Sequence, residues 1–244
     1  MKYPIKLAVL DMAGTTVRDM HEVEACFAKA AKQTGLDVTE QEILAAQGWS
    51  KRFVFETFWE KQLGSKSDQW KMEVEHSYQV FTQILEHHYE TAPIFPSEGC
   101  LDLFDYLSSQ KVAICLTTGF YRKVCNIILS RLGWNEGLNE NYFGKEATHI
   151  QMSITSDEVP AGRPAPDMIY KAMKAFGIES SEQVMKIGDT PSDLKAGRAA
   201  SCGLVLAVTN GTHSEDQLKD FDHDLLIPSI LHARDVLEGE LQIG

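Results

Sequence analysis

The sequence predicts an α/β fold, a doubly wound parallel sheet interrupted by an inserted α-helical module, and two patterns carry the expectation. The first is a set of short apolar runs that end in small or polar residues: Lys6 to Leu10 before Asp11, Val112 to Leu116 before Thr117 and Thr118, Val184 to Ile187 before Gly188 and Asp189, and Gly203 to Val208 before Thr209. Runs this short and this apolar read as parallel strands covered on both faces. The second is the helical spacing of apolar residues between them, in Leu101 to Gln110, Tyr121 to Leu132, Asp167 to Phe176 and Ser192 to Ala200. Strands alternating with helices build a doubly wound sheet, and such sheets bind ligands beyond the carboxyl ends of their strands. Asp11, Thr118 and Asp189 fall at those ends.

The stretch from about Val17 to Tyr89 breaks the alternation, being helical in pattern and rich in Glu, Lys and Gln. Turn-forming segments bound it, Thr15 to Asp19 on one side and Ala92 to Gly99 on the other. The expected division is therefore a core of residues 1–16 and 97–244 with an α-helical cap of residues 17–96. Trp49, Phe53, Phe55, Phe58 and Trp59 read as the apolar side of a cap helix, with Trp49 a candidate pocket wall.

With 244 residues, the chain is long enough to bury a substantial core. Its 35 Asp and Glu outnumber 23 Lys and Arg for a formal charge of -12, which argues against nucleic acid or an anionic membrane as partner. An anionic small-molecule substrate then needs local cations, from a metal, a few basic side chains and helix N-termini. The five cysteines are scattered without a CxxC pair, as expected of free thiols in a reducing compartment. No apolar run approaches the roughly 20 residues of a membrane span and no signal-like segment opens the chain, so a soluble cytoplasmic protein is expected. The eight histidines show no zinc-ligand spacing.

Four motifs carry the chemistry. Asp11-Met12-Ala13-Gly14-Thr15-Thr16 puts a carboxylate on a glycine-permitted turn, where it serves either as nucleophile or as helix cap. Thr118-Gly119 offers a hydroxyl and a backbone N–H at a helix start, a cradle for phosphoryl oxygens or again a plain cap. Arg163, in the stiff loop Ala161-Gly162-Arg163-Pro164, is a cation suited to a developing phosphorane or simply a surface arginine. Gly188-Asp189-Thr190-Pro191-Ser192-Asp193 supplies two carboxylates around a helix start, which together with Asp11 suit a hard dication.

In this order, on successive strand ends, the four motifs resemble the haloacid dehalogenase superfamily over the whole chain. The resemblance implies a Rossmann-like core with a cap domain and an aspartyl-phosphate on Asp11. It implies phosphoryl binding at Ala13, Thr118, Gly119 and Arg163, and Mg2+ held by Asp11, the Ala13 carbonyl and Asp189 with Asp193 supporting the metal site. One departure from that family's DxDGT motif is informative: alanine occupies position 13, where phosphatases carry the aspartate that protonates the leaving alkoxide. A methyl group cannot do so, and reactions whose leaving group needs no such proton become favoured. Cleavage of a carbon–phosphorus bond beside a carbonyl is the leading one. Its carbanion needs an electron sink, which a lysine condensed with the carbonyl supplies.

The phosphonatase branch of the superfamily carries a cap lysine in a G-x-x-K segment, and Gly48-Trp49-Ser50-Lys51 resembles it. Thr117-Thr118-Gly119-Phe120, Val159-Pro160-Ala161-Gly162-Arg163-Pro164 and Lys186-Ile187-Gly188-Asp189-Thr190 extend the likeness. The resemblance implies hydrolysis of phosphonoacetaldehyde or an analogue through a Schiff base on Lys51, and pairing through the caps as a homodimer. Gln47, Val54 and Phe120 depart from the branch's usual methionine, histidine and tyrosine, altering the polar surroundings of the amine. Lys51 therefore stands as Schiff-base former, anion clamp or solvated helix-start residue. The corresponding alternatives for the chain are a phosphatase or phosphoryl-transfer enzyme on a small phosphate ester, and an inactive metal- or metabolite-binding member.

Overall fold

The computed structural model describes residues 4–239. Strand β1 (Leu7–Asp11) is followed by α1 (Glu22–Thr34), α2 (Glu40–Ala45), α3 (Lys51–Leu63) and α4 (Asp68–Thr91), all before the second strand. The chain then runs α5 (Cys100–Ser109), β2 (Ala113–Thr118), α6 (Arg122–Leu132), β3 (Met152–Thr155), α7 (Asp167–Phe176), β4 (Val184–Gly188), α8 (Pro191–Ala199), β5 (Leu204–Val208), α9 (Glu215–Leu218), β6 (Leu225–Ile227) and α10 (Ala233–Glu238). The six strands form one parallel sheet in the order β3-β2-β1-β4-β5-β6. The chain builds outward from β1 in one direction and then in the other, so the topological switch point lies between β1 and β4, where this class of sheet opens a ligand crevice.

The expected α/β class with helices alternating along the sheet is what forms. All five residues of β1, and all five of β4 and of β5, are buried, as the apolar runs foretold. Two details differ. The ladder carries the polar strand ends into the sheet, with Asp11 paired to Thr117, because backbone pairing continues past the last apolar side chain. Two further strands also flank the four expected ones. β3 and β6 span four and three residues, the former half Ser and Thr, too short for either to stand out as an apolar run.

The helices inserted after β1 pack on each other through an aromatic cluster. Phe27 of α1 stacks on Phe55 of α3 with centroids 4.4 Å apart, and Phe81 of α4 lies 5.8 Å from Phe27 and 5.7 Å from Phe55. Such pairs contribute roughly 0.5–1.5 kcal/mol each beyond burial. Phe55 and Trp59 are buried, but Phe53 is half exposed and leans on Trp49, so the expected aromatic stripe is divided between the interior and the surface. On the other side α4 meets α6: Tyr121 stacks edge-on against Tyr78 and donates to Glu86 at 2.9 Å. Among the described residues no helix is long and apolar enough to cross a membrane.

Candidate active site

The carboxyl ends of β1, β2 and β4 converge with the loop before α3 on one small cavity of about 30 Å³. Asp11, Ala13, Thr118, Gly119 and Arg163 line it, and so does Lys51, the first residue of α3. Asp189 and Asp193 stand directly behind, their carboxylate oxygens and that of Asp11 all within 4.8 Å of one another. Every residue singled out in the four motifs, and the lysine of the G-x-x-K segment, is thus brought to one place.

Local geometry explains the glycines. Gly14 has φ +85°, and a Cβ there would collide with the Asp189 carboxylate, so the turn after β1 needs both left-handed backbone and the missing side chain. Gly48, at φ +80°, lies where a Cβ would sit 2.6 Å from Thr190 Oγ1 and 3.0 Å from Ser192 Cβ. The segment before α3 is therefore docked onto the sheet edge, and Ser192 Oγ completes the seal by donating to the Gln47 carbonyl at 3.2 Å.

The electrostatics are those of a crowded, buried site. Arg163 Nη1 lies 2.6 Å from Asp11 Oδ1 and also contacts Asp193 Oδ1, while Lys186 Nζ lies 2.7 Å from Asp193 Oδ1. Thr190 Oγ1 donates to the other Asp193 oxygen at 2.6 Å. Burial works against the Asp193 charge, yet Arg163 and Lys186 outweigh it and hold that carboxyl below the ordinary range. Burial pushes Asp11 up to about 6 against the pull of Arg163. Burial, with Asp11 and Asp193 close by, likewise raises Asp189 well above its usual value, although Thr212 N donates to it at 2.7 Å.

Among the described residues no group donates a well-aligned hydrogen bond to Asp11 Oδ1, the 2.6 Å contact with Arg163 Nη1 being an ion pair. A buried carboxylate oxygen without a donor, facing a second carboxylate that resists ionisation, is a donor set of hard oxygens suited to a dication such as Mg2+. The oxygens of Asp193 are already engaged by Arg163, Lys186 and Thr190, which suits it to orienting its neighbours.

Lys51 is buried, and its Nζ donates to Gln47 Oε1 at 2.9 Å. Burial lowers its pKa to about 8, with Glu24, Asp11 and Asp19 pulling it back up and Arg163 pushing it down. The amine is thus largely stripped of water but remains within reach of the cavity. Gln47, which from sequence is only a departure from the phosphonatase pattern, is the amine's hydrogen-bond partner, and Val54 is buried in the core.

Sequence reasoning misses several groups here. Asp19, Val23, Thr190 and Thr212 also line the cavity. Thr212 lies in the loop after β5, for which spacing gave no signal, whereas Lys186 was detectable as a charge inside an otherwise apolar strand. Folding also brings His21 within 4.8 Å of Asp19 and Glu24. The His21 side chain is 73% exposed, with its Nδ1 3.7 Å from the half-buried Glu24 carboxylate.

Comparison with known proteins agrees with this geometry. The family model described as haloacid dehalogenase-like hydrolase matches residues 5–201. A phosphonoacetaldehyde hydrolase of Bacillus cytotoxicus is 28% identical over 89% of this chain and 82% of its own. Among solved structures, a phosphonoacetaldehyde hydrolase-like protein from Oleispira antarctica superposes with a TM-score of 0.74 at 18% identity, covering 97% of this chain and 92% of that one. A Bacteroides vulgatus protein assigned as a β-phosphoglucomutase gives 0.78 at 21% identity, covering 97% and 89%. At such identities the structural matches establish a shared fold, and the family match establishes the rest: the chain belongs to the haloacid dehalogenase-like hydrolases and is an enzyme.

Proposed function

We propose that this chain is a Mg2+-dependent, phosphonatase-like hydrolase that cleaves the carbon–phosphorus bond of a small carbonyl phosphonate, phosphonoacetaldehyde or a close analogue. The observation that carries the reading is the juxtaposition, in one cavity of about 30 Å³, of a buried, weakly basic lysine with Asp11 and with an alanine at position 13. The small cavity suits a compact substrate rather than an extended one.

Asp11, the Ala13 carbonyl and Asp189 would hold Mg2+, with Asp193 supporting them, and the ion when bound supplies charge neutralisation for the phosphoryl oxygens. Thr118, the Gly119 N–H and Arg163 orient the phosphoryl group for in-line approach of the Asp11 carboxylate. The neutral amine of Lys51 condenses with the substrate carbonyl, water leaves, and the iminium accepts the electron pair released as the carbon–phosphorus bond breaks. Asp11 then carries the phosphoryl group as a mixed anhydride, which water hydrolyses. Gln47 holds the amine toward the cavity, and the docked loop around Gly48 keeps bulk water out of the first step.

A second reading, phosphate-ester hydrolysis or phosphoryl transfer with Lys51 as a cationic clamp, is favoured by the replacement of the usual histidine by Val54 and by neighbours such as the β-phosphoglucomutase-assigned chain. The two separate in a substrate screen of phosphonoacetaldehyde and short keto-phosphonates against common phosphate esters, with and without Mg2+, for the wild type and Lys51→Ala. Loss of carbon–phosphorus cleavage in the variant supports the proposal. Wild-type turnover of phosphate esters alone would sink it.

A further inference from the structure

The alanine at position 13 leaves the first motif one carboxylate short, but the cavity is not short of one. Asp19, on the segment joining β1 to α1, lines it together with Lys51, Ala13 and Phe120. Two donors fix its side chain: the His21 backbone N–H on Oδ1 at 2.9 Å and the Thr212 hydroxyl on Oδ2 at 3.1 Å. Thr212 N in turn donates to Asp189 at 2.7 Å, so Asp19 is tied to the sheet edge although it belongs to the chain leading into the helical insertion. Glu22 stands beside it, itself held by the Met20 N–H at 2.6 Å and the Tyr89 hydroxyl at 3.0 Å.

We propose that Asp19 is the proton-transfer residue at the carbonyl end of this site, working on the Lys51 adduct in place of the carboxylate that position 13 lacks. The inference rests on the phosphonatase-like reading above. In the forward half-reaction Lys51 Nζ has bonded to the carbonyl carbon and the former carbonyl oxygen is a hydroxyl. Asp19, in its acid form, gives its proton to that hydroxyl as the carbon–oxygen bond breaks. The nitrogen lone pair closes the carbon–nitrogen double bond, water departs, and Asp19 is left as carboxylate.

After phosphoryl transfer the enamine carbon takes a proton from solvent, balanced by the proton released when water hydrolyses the aspartyl phosphate, and a second water adds to the product iminium. Its oxygen bonds to carbon, the nitrogen regains its lone pair, and the water's proton returns to Asp19. The residue thus ends as it began. Burial and the adjacent Glu22 carboxylate keep Asp19 near 6, so both of its forms are populated around neutral pH, as a group that gives and retakes a proton requires. Gln47 serves a different purpose: an amide can orient the amine but cannot exchange a proton with the hydroxyl.

The test uses the full chain loaded with Mg2+, phosphonoacetaldehyde as probe, and Asp19→Asn, Asp19→Glu and Asp19→Ala, each first checked for wild-type melting behaviour and Mg2+ affinity. Asp19→Asn is expected to lower kcat by roughly 10²–10⁴-fold while KM changes by less than about 3-fold, the span typical of removing a general acid–base. Asp19→Glu recovers part of the loss, and added formate speeds Asp19→Ala in proportion to its concentration. Wild-type kcat in Asp19→Asn overturns the assignment, as does a loss that neither glutamate nor formate relieves and that raises KM in parallel. A wild type that leaves the carbon–phosphorus bond intact overturns the underlying reading instead, an outcome recognisable before any variant is made.

Discussion

Replacing Lys51 with methionine should make the protein more stable at neutral pH while removing the proposed carbon–phosphorus cleavage. The pKa of Lys51 falls from 10.5 to about 8 in the fold, because the charged amine loses its water. At about 1.4 kcal/mol per tenfold, folding around the charged amine costs on the order of 3 kcal/mol at any pH below about 8. The unfolded chain binds this proton more tightly, so stability rises as pH climbs from about 8 toward 10.5, and above that the penalty is gone.

Methionine fills similar space without charge. It leaves Gln47 Oε1 without its donor, a loss of roughly 1–2 kcal/mol. Lys51→Met should therefore be more stable than wild type by about 1–2 kcal/mol at pH 7 and less stable by about the same amount at pH 10.5. The same desolvation leaves about a quarter of the amine neutral at pH 7.5, against about one part in a thousand for an unperturbed lysine, which is why the penalty is compatible with function. Urea denaturation of both proteins at pH 7 and pH 10.5 measures the difference. A variant destabilised equally at both pH values would refute the argument, since the amine would then not be desolvated.

Three further outcomes follow from the same geometry. Gly48→Ala, which forces a Cβ against Thr190 and Ser192 at a left-handed backbone position, should undock the loop bearing Lys51 and lower kcat/KM at least about 10-fold, read by steady-state kinetics alongside a fall of roughly 1–2 kcal/mol in stability. Asp189→Asn should stabilise the metal-free protein at pH 7, because burial and two neighbouring carboxylates disfavour its charge, and the gain should vanish near pH 4; titration with Mg2+ should no longer raise its melting temperature. Asp193→Ala should cost about 3–5 kcal/mol in urea unfolding, since it leaves Lys186 buried without its carboxylate partner and strips Arg163 of one of two.

Much of the fold was legible because the information is local. A parallel strand buried on both faces is mostly apolar along its length, so β1, β2, β4 and β5 announce themselves, and the strand-end position of Asp11, Thr118 and Asp189 follows from topology. β3 and β6 escape because a strand of three or four residues carries too few side chains to show a pattern. Within the site, motif residues adjacent in sequence to strand ends could be named in advance. Groups delivered by tertiary folding could not: Thr212 arrives from the loop after β5, and Asp19 looks like an ordinary turn acid until the segment containing it closes over the cavity. Gln47 shows the same limit, reading as a lost methionine in the sequence and as the ligand of the lysine amine in space.

The central claim is that the Lys51 amine bonds covalently to a carbonyl substrate during turnover. Borohydride reduction of the Mg2+-loaded enzyme during reaction with phosphonoacetaldehyde, followed by peptide mass analysis, tests it most directly. The account predicts loss of activity together with an ethyl group on the peptide containing Lys51, and no such modification in Lys51→Arg. Continued carbon–phosphorus cleavage with Lys51 unmodified after reduction would contradict it.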